Sequence, residues 1–287
     1  MLIQEKRKVY DGPFLFKKIL NSGTTKIENL NNSSRFLNLS CLDSARFLEF
    51  INNEEFLPIL NFAKQFHEKD TRKVTEDPYI KHLLYTTYLC FDSKKFKEYN
   101  REEKNIFLAA ALLHDTVEIF RKEDETYNIG RFFTEMINNG FNHGYARKIA
   151  LLVSILTPEP KGKDITSTEW LERKLANFRR IVTIDANTVK QIEDSTFSPP
   201  YLTDNDHDRL AEMAREIKIA DEAANVRETV DDIKSGKDGY KVTSNGIKNL
   251  TLRFKDFTNR FSLISSGHPL KDQLKKNLDF IDDYLKT

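Results

Sequence analysis

The chain has 287 residues, of which 39% are hydrophobic and 31% charged, and it contains 10 glycines and 8 prolines. These proportions are typical of a globular, helix-rich protein with a core large enough to fold without disulfides or structural metals. A formal net charge of +1 excludes a global electrostatic field that would steer the chain to nucleic acid or to a membrane surface.

Cysteine usage and apolar run lengths indicate the compartment. Cys41 and Cys90 belong to no CxxC pair or other metal-binding spacing, so we expect two packed thiols in a reducing environment. The N-terminus is too charged for a signal peptide, and no apolar run reaches about 18 residues. We therefore expect a cytoplasmic protein with no membrane partner. Since no basic stripe alternates with aromatic residues, a nucleic-acid partner is not expected either.

Helical periodicity dominates most of the chain. Residues 1–42 are weakly periodic and rich in Asn and Ser, and they form an N-terminal extension to which the sequence assigns no task. From Asp43 onward, apolar residues recur at helical spacing. The clearest helical segments up to residue 157 are DSARFLEFINN, PILNFAKQFHEKD, PYIKHLLYTTYLCF, NREEKNIFLAAALLHDTVEIF and GYARKIALLVSILT.

Capping and stop signals support this assignment. Pro78 is placed to open one helix, and Asn100 to cap the next, which has acidic residues in its first turn. SPPYLTDND marks a turn near residue 200, and a long helix follows that stops at Gly236. Residues 244–287 predict one or two amphipathic helices. No segment alternates like a strand, so the sequence predicts an all-α protein with a main domain at 43–235 and a C-terminal helical extension at 236–287.

A cluster of polar residues interrupts the most apolar helix. In AALLHDTVEIF, His114, Asp115 and Glu118 directly follow LAAALL, and helical spacing places them on neighbouring faces. Leaving these groups unpaired at the edge of a core would cost several kcal/mol. A bound metal ion would remove that cost, because it neutralises carboxylate and accepts the imidazole nitrogen.

Further candidate ligands occur in two other apolar helices. His82 lies in PYIKHLLYT, and Asp221 lies in EIKIADEAANVRE, one turn before Asn225. His82, His114, Asp115 and Asp221 make a mixed imidazole and carboxylate set that suits manganese, iron or zinc, and we expect a divalent metal with Mn²⁺ foremost. Taken singly, each residue has a structural alternative: a hydrogen-bonded core histidine, a chance His-Asp pair, or a helix-interior salt bridge.

Three motifs occur together in one order. RKVTEDPYIKH, AALLHDTVE and IKIADEAANVRE resemble the (p)ppGpp hydrolase domain of the RelA/SpoT family, which belongs to the HD metal-dependent phosphohydrolase superfamily. LVSILTP resembles the apolar segment that this family has between its second and third motifs. The resemblance covers about residues 43–235 and implies an HD-domain helical bundle in a small stand-alone form.

The resemblance also implies an activity and assigns roles to residues. It implies metal-dependent removal of pyrophosphate from the 3' position of guanosine alarmones, the nucleotides of the stringent response, and hence a phosphorylated guanine nucleotide as partner. Glu118 would handle the proton. The residues expected to bind substrate are Arg72, Lys73, Lys218, Asn225 and Arg227.

Several alternatives stay open at this stage. Arg72 and Lys73 also fit a solvated charged loop, Glu118 could pair with Arg121, and Arg227 could form a surface ion pair. The chain has Ile119 where the family has a second acid, so either Glu118 acts alone or an acid from segment 123–125 replaces the missing one. Competing functions are hydrolysis of another phosphorylated nucleotide and a catalytically weak nucleotide-binding module.

Overall fold

The structure of the chain is a computed structural model, which describes residues 41–67, 70, 78–158, 166–234, 236 and 244–286. The described residues form thirteen helices and no β-strand, which confirms the all-α prediction. In chain order the helices are α1 (Cys41–Ile51), α2 (Leu57–His67), α3 (Ile80–Phe91), α4 (Lys94–Glu98), α5 (Arg101–Leu113), α6 (Thr116–Glu123), α7 (Ile129–Asn138), α8 (His143–Leu156), α9 (Ser167–Val182), α10 (Ala186–Thr196), α11 (Asp204–Lys234), α12 (Ser244–Leu263) and α13 (Lys271–Lys286).

The 31-residue helix α11 lies at the centre of the assembly. It packs against α3, α5, α8, α9, α10 and α13, and α12 packs on α9 and α13. One cluster of buried apolar side chains runs from α1 to α13 and includes Leu250, Phe257 and Leu278 of the last two helices. The division into a domain at 43–235 and an extension at 236–287 stays a prediction, since helices from both parts contribute to this cluster.

Helix α5 shows how local signals and burial act together. The side chain of Asn100 accepts a hydrogen bond from the backbone N–H of Glu103, and the side chain of Glu103 accepts one from the backbone N–H of Asn100. Every residue from Ile106 to Leu113 is buried, so α5 is surrounded by other helices over its second half. This burial brings the polar residues that follow Leu113 into the interior.

The predicted continuous helix through AALLHDTVEIF is wrong. α5 ends at Leu113, His114 and Asp115 form a turn, and α6 begins at Thr116. Asp115 has a φ of −97° and a ψ of −4°, and its carbonyl starts the hydrogen bonding of α6 by accepting from Ile119.

Other boundaries differ in smaller ways. α3 begins at Ile80, two residues after Pro78, and the C-terminal region forms two helices. Gly236 follows α11 with a φ of 64°, which confirms the predicted stop because glycine adopts this left-handed conformation readily. The sequence did not predict α4, α7, α9 or α10. No helix in the described part of the chain is long and apolar enough to span a membrane.

Candidate metal centre

Three separate segments meet at one buried point. α3 contributes His82, the turn between α5 and α6 contributes His114, and the middle of α11 contributes Asp221. All three side chains are buried, with exposed fractions of 1%, 3% and 5%. One ligand atom from each lies within 4.8 Å of the others, so this group could hold a metal ion. The predicted convergence of these three residues is thereby confirmed.

The distances between the facing atoms suit a common ligand. Oδ1 of Asp221 lies 3.3 Å from Nε2 of His82 and 3.5 Å from Nε2 of His114. Neighbouring atoms bound about 2.1 Å from one ion are roughly 3.0–3.5 Å apart. Nε2 of His114 is buried and makes no hydrogen bond within the described ranges, as expected for a ligand atom directed at an ion.

Asp115 lies beside this group. Its Oδ2 is 3.3 Å from Nε2 of His114 and 3.9 Å from Nε2 of His82. The same oxygen accepts a 2.5 Å hydrogen bond from the hydroxyl of Tyr79. Asp115 therefore borders the point on which the other three converge, and its role as a fourth ligand stays a prediction.

Each histidine is oriented through its other ring nitrogen. Nδ1 of His114 lies 2.8 Å from the carbonyl oxygen of Ala111, and Nδ1 of His82 lies 3.0 Å from Oε1 of Glu228. Both partners accept hydrogen bonds, which favours a proton on each Nδ1 and leaves each Nε2 directed at the oxygens of Asp115 and Asp221. With an ion bound between these groups, each Nε2 would present a lone pair to it.

Asp221 is held by residues of its own helix. Nζ of Lys218 donates to Oδ2 at 2.8 Å, and Nδ2 of Asn225 donates to Oδ1 at 2.7 Å. Lys218 and Asn225 are both predicted substrate-binding residues, and the structure places both next to the centre. Their contacts with Asp221 show a second task for them, which is to fix the carboxylate.

The electrostatic field at this point favours positive charge. Burial alone would lower the pKa of His114, but the charges of Asp115 and Asp221 outweigh it and raise that pKa to about 10. Burial would raise the pKa of Asp221, but Lys218 and the two histidines hold it well below its usual range. The field that stabilises a proton on His114 would also stabilise a cation between these groups.

The remaining predicted site residues differ in where they lie. Arg72 and Lys73 are outside the described residues. Arg227 forms an ion pair on its own helix, the alternative that the sequence left open, since its Nε donates to Asp231 at 3.1 Å. Glu118 follows Asp115 by three residues, and its Oε1 lies 3.6 Å from Nζ of Lys122. Nε of Arg121 donates to the carbonyl of Tyr127.

Residue 119, where the resembling family has a second acid, is a buried isoleucine. Ile119 is 8% exposed and belongs to the core. Within segment 123–125, Asp124 forms a 2.6 Å ion pair with Arg131 and accepts hydrogen bonds from Thr126. Asp124 is thus engaged by Arg131 and Thr126, while the side chain of Glu123 is outside the described residues. Whether Glu118 acts alone stays a prediction.

Sequence reasoning missed Tyr79 and Glu228. Tyr79 precedes His82 by three residues and Glu228 follows Asp221 by seven, and both spacings place side chains on one helical face. Helical geometry could therefore have indicated both. What the sequence could not supply is the pairing between α3 and α11 that brings Glu228 to His82.

His67 is a further buried histidine, and it contacts the start of α6. His67 is 1% exposed, and its Nδ1 lies 3.0 Å from Asp70 while its Nε2 lies 3.2 Å from Oγ1 of Thr116. The carbonyl of Asp70 accepts a 2.8 Å hydrogen bond from the backbone of Tyr79. Asp70 and Tyr79 are thus joined, while Arg72 and Lys73 between them lie outside the described residues.

Comparison with known proteins returned no match, either among models of protein families or among curated proteins.

Proposed function

We propose that the chain is a metal-dependent phosphohydrolase with an HD-type helical bundle, which removes pyrophosphate from the 3' position of (p)ppGpp. The observation that carries the proposal is the buried convergence of His82, His114 and Asp221, with Asp115 beside them. Two imidazoles and two carboxylates without a cation would be costly to bury. The motif resemblance supplies the choice of substrate.

The donor set fits a divalent first-row ion. Imidazole nitrogen and carboxylate oxygen together suit manganese, iron or zinc, and we propose Mn²⁺ bound by His82, His114, Asp221 and Asp115. When bound, the ion would act as a Lewis acid toward the phosphates and toward a water molecule. His82, His114 and Asp221 are buried, which limits the access of bulk water to the ion.

The surrounding residues supply binding and proton handling. Lys218 lies partly buried beside Asp221, and its cationic form is favoured because the carboxylates of Asp221 and Asp115 raise its pKa despite burial. Its ammonium can therefore attract a phosphate group. Asn225 has an amide that can bind a ribose or base. Glu118, about a third exposed, can accept a proton at the edge of the centre.

The proposal is tested by incubating manganese-loaded protein with a panel of nucleotides that includes ppGpp and measuring released pyrophosphate and phosphate. Asp115→Ala should abolish release while the circular dichroism spectrum is retained. The chain offers a matched control in its second His-Asp pair, because Asp208 is exposed and lies near the start of α11, more than three helical turns before Asp221. Asp208→Ala should keep full activity, and equal activity of the Asp115→Ala variant would overturn the assignment.

One observation favours a second candidate, a nucleotide-binding module with weak catalysis. Residue 119 is a buried isoleucine, so no acid occupies the position where the resembling family has one. In that case ppGpp would bind to the loaded protein, with turnover absent across the panel. Release of phosphate from another nucleotide alone would instead assign a different phosphorylated substrate to the same centre.

A further inference from the structure

Glu228 makes a contact across two helices that helix formation alone does not require. It lies on α11 two turns after Asp221, and its Oε1 is 3.0 Å from Nδ1 of His82 on α3. The His82 side chain is 1% exposed and that of Glu228 is 24% exposed. A carboxylate at the solvent-facing edge thus reaches a buried imidazole whose other nitrogen faces Asp221.

We propose that Glu228 is a positioning residue of the metal centre, which fixes His82 with its Nε2 lone pair toward the ion. This inference rests on the metal centre proposed above. A carboxylate that accepts the Nδ1 proton selects the tautomer, holds the ring plane and makes Nε2 a stronger donor. A ring without this partner could rotate or carry its proton on Nε2, and either change would remove a ligand.

The two histidines are supported differently, which isolates the effect of Glu228. His114 is oriented by the neutral backbone carbonyl of Ala111, three residues earlier in α5. His82 is oriented by a charged side chain from another helix. We therefore expect the position of His82, and not that of His114, to depend on a side chain that can be substituted.

Glu228 also completes the charge of the centre. Asp115, Asp221 and Glu228 contribute three carboxylates, and Lys218 contributes one ammonium in contact with Asp221. With neutral imidazoles, the formal charge of this group is −2, which a divalent cation balances. Removal of Glu228 would leave the charge of a bound dication only partly offset in a buried setting, where such an imbalance is costly.

The test uses Zn²⁺ as a diamagnetic probe and measures its dissociation constant by competition with a chelating dye. Glu228→Ala should weaken binding by about 10- to 100-fold, the usual effect of losing such a partner. Glu228→Gln keeps the shape and an accepting oxygen, so its loss should be smaller. Glu216→Gln is the matched control, because Glu216 also lies on α11 and contacts a histidine, His268, outside the centre.

A second measurement separates positioning from general destabilisation. In the zinc-loaded wild type, Nδ1 of His82 should give an exchange-protected proton signal in nuclear magnetic resonance spectra, absent or shifted in Glu228→Ala. Equal zinc affinity and an unchanged signal in both Glu228 variants would overturn the positioning role while leaving the metal centre intact. A wild-type protein that binds no zinc, manganese or iron would overturn the centre itself, and the role of Glu228 with it.

Discussion

Replacement of Arg260 by methionine is expected to destabilise the fold strongly. Arg260 on α12 is 7% exposed; its Nη1 donates to Glu222 of α11 at 2.8 Å, and its Nε donates to Asp256 at 3.0 Å. Glu222 and Asp256 are themselves 1% and 8% exposed. Methionine would keep much of the apolar stem and leave two buried carboxylates without their cation. Breaking such a pair costs about 3–5 kcal/mol, or roughly 6–20 °C in melting temperature.

The stability lost in Arg260→Met should also depend on pH, and the direction follows from the pKa of Glu222. Burial raises the pKa of the Glu222 carboxyl above its usual range, although the charge of Arg260 opposes this. The folded state therefore holds that proton more tightly than the unfolded chain, so its contribution to stability falls as the pH rises above the usual carboxyl range. Without Arg260 the pKa of Glu222 rises further. The difference in free energy of unfolding between variant and wild type should therefore narrow as the pH falls from 7 toward about 5.

Urea unfolding followed by far-ultraviolet circular dichroism measures both effects. Lys255→Met is the control, because Lys255 is exposed on the same helix and loses the same charge without unpairing a buried group. It should change stability by less than about 0.5 kcal/mol. A loss below about 1 kcal/mol in Arg260→Met, or a gap independent of pH, would show that α12 is not anchored to α11 through this cluster.

Three further changes test other parts of the structure. Ile119→Asp should lower stability by at least about 2 kcal/mol, since it buries a carboxylate in the core, whereas Ile119→Val should cost about 1 kcal/mol; equal losses would contradict that burial. Glu193→Gln should cost about 1–3 kcal/mol by urea unfolding, because Glu193 is fully buried and accepts from His207 at 2.8 Å, and an unchanged midpoint would refute its anchoring role. Tyr79→Phe should weaken zinc binding several-fold with about 1 kcal/mol lost in stability, because its hydroxyl holds Asp115, and unchanged affinity would remove Tyr79 from the centre.

The sequence predicted the parts of the fold that depend on local signals. The cap at Asn100, the apolar run that follows it and the stop at Gly236 are each formed by residues close in sequence. Thr166 and Glu169 form a comparable capping box at the start of α9, so the beginning of this helix was also predictable from local signals. The break after Leu113 was not foreseeable from periodicity, because apolar residues continue at helical spacing through Val117 and Phe120.

The sequence indicated the candidate ligands of the site, but it did not indicate the residues that orient them. His82, His114 and Asp221 are conspicuous as polar residues in apolar helices, so their convergence could be anticipated. The partners that orient them lie at ordinary polar positions, and only the packing of α3 on α11 shows that Glu228 reaches His82. For Arg227 the sequence left substrate binding and a surface ion pair open, and the structure shows an ion pair with Asp231.

The central claim is that His82, His114 and Asp221 hold one divalent ion, and metal binding itself tests it most directly. Protein purified without chelator, then loaded with Mn²⁺ or Zn²⁺ and desalted, should retain one ion per chain by elemental analysis. His82→Ala, His114→Ala and Asp221→Asn should each lose that ion, while His207→Ala, which removes a buried histidine bonded to Glu193, should retain it if folded. A wild-type chain that retains no ion, or ligand variants that retain as much as the wild type, would contradict the claim.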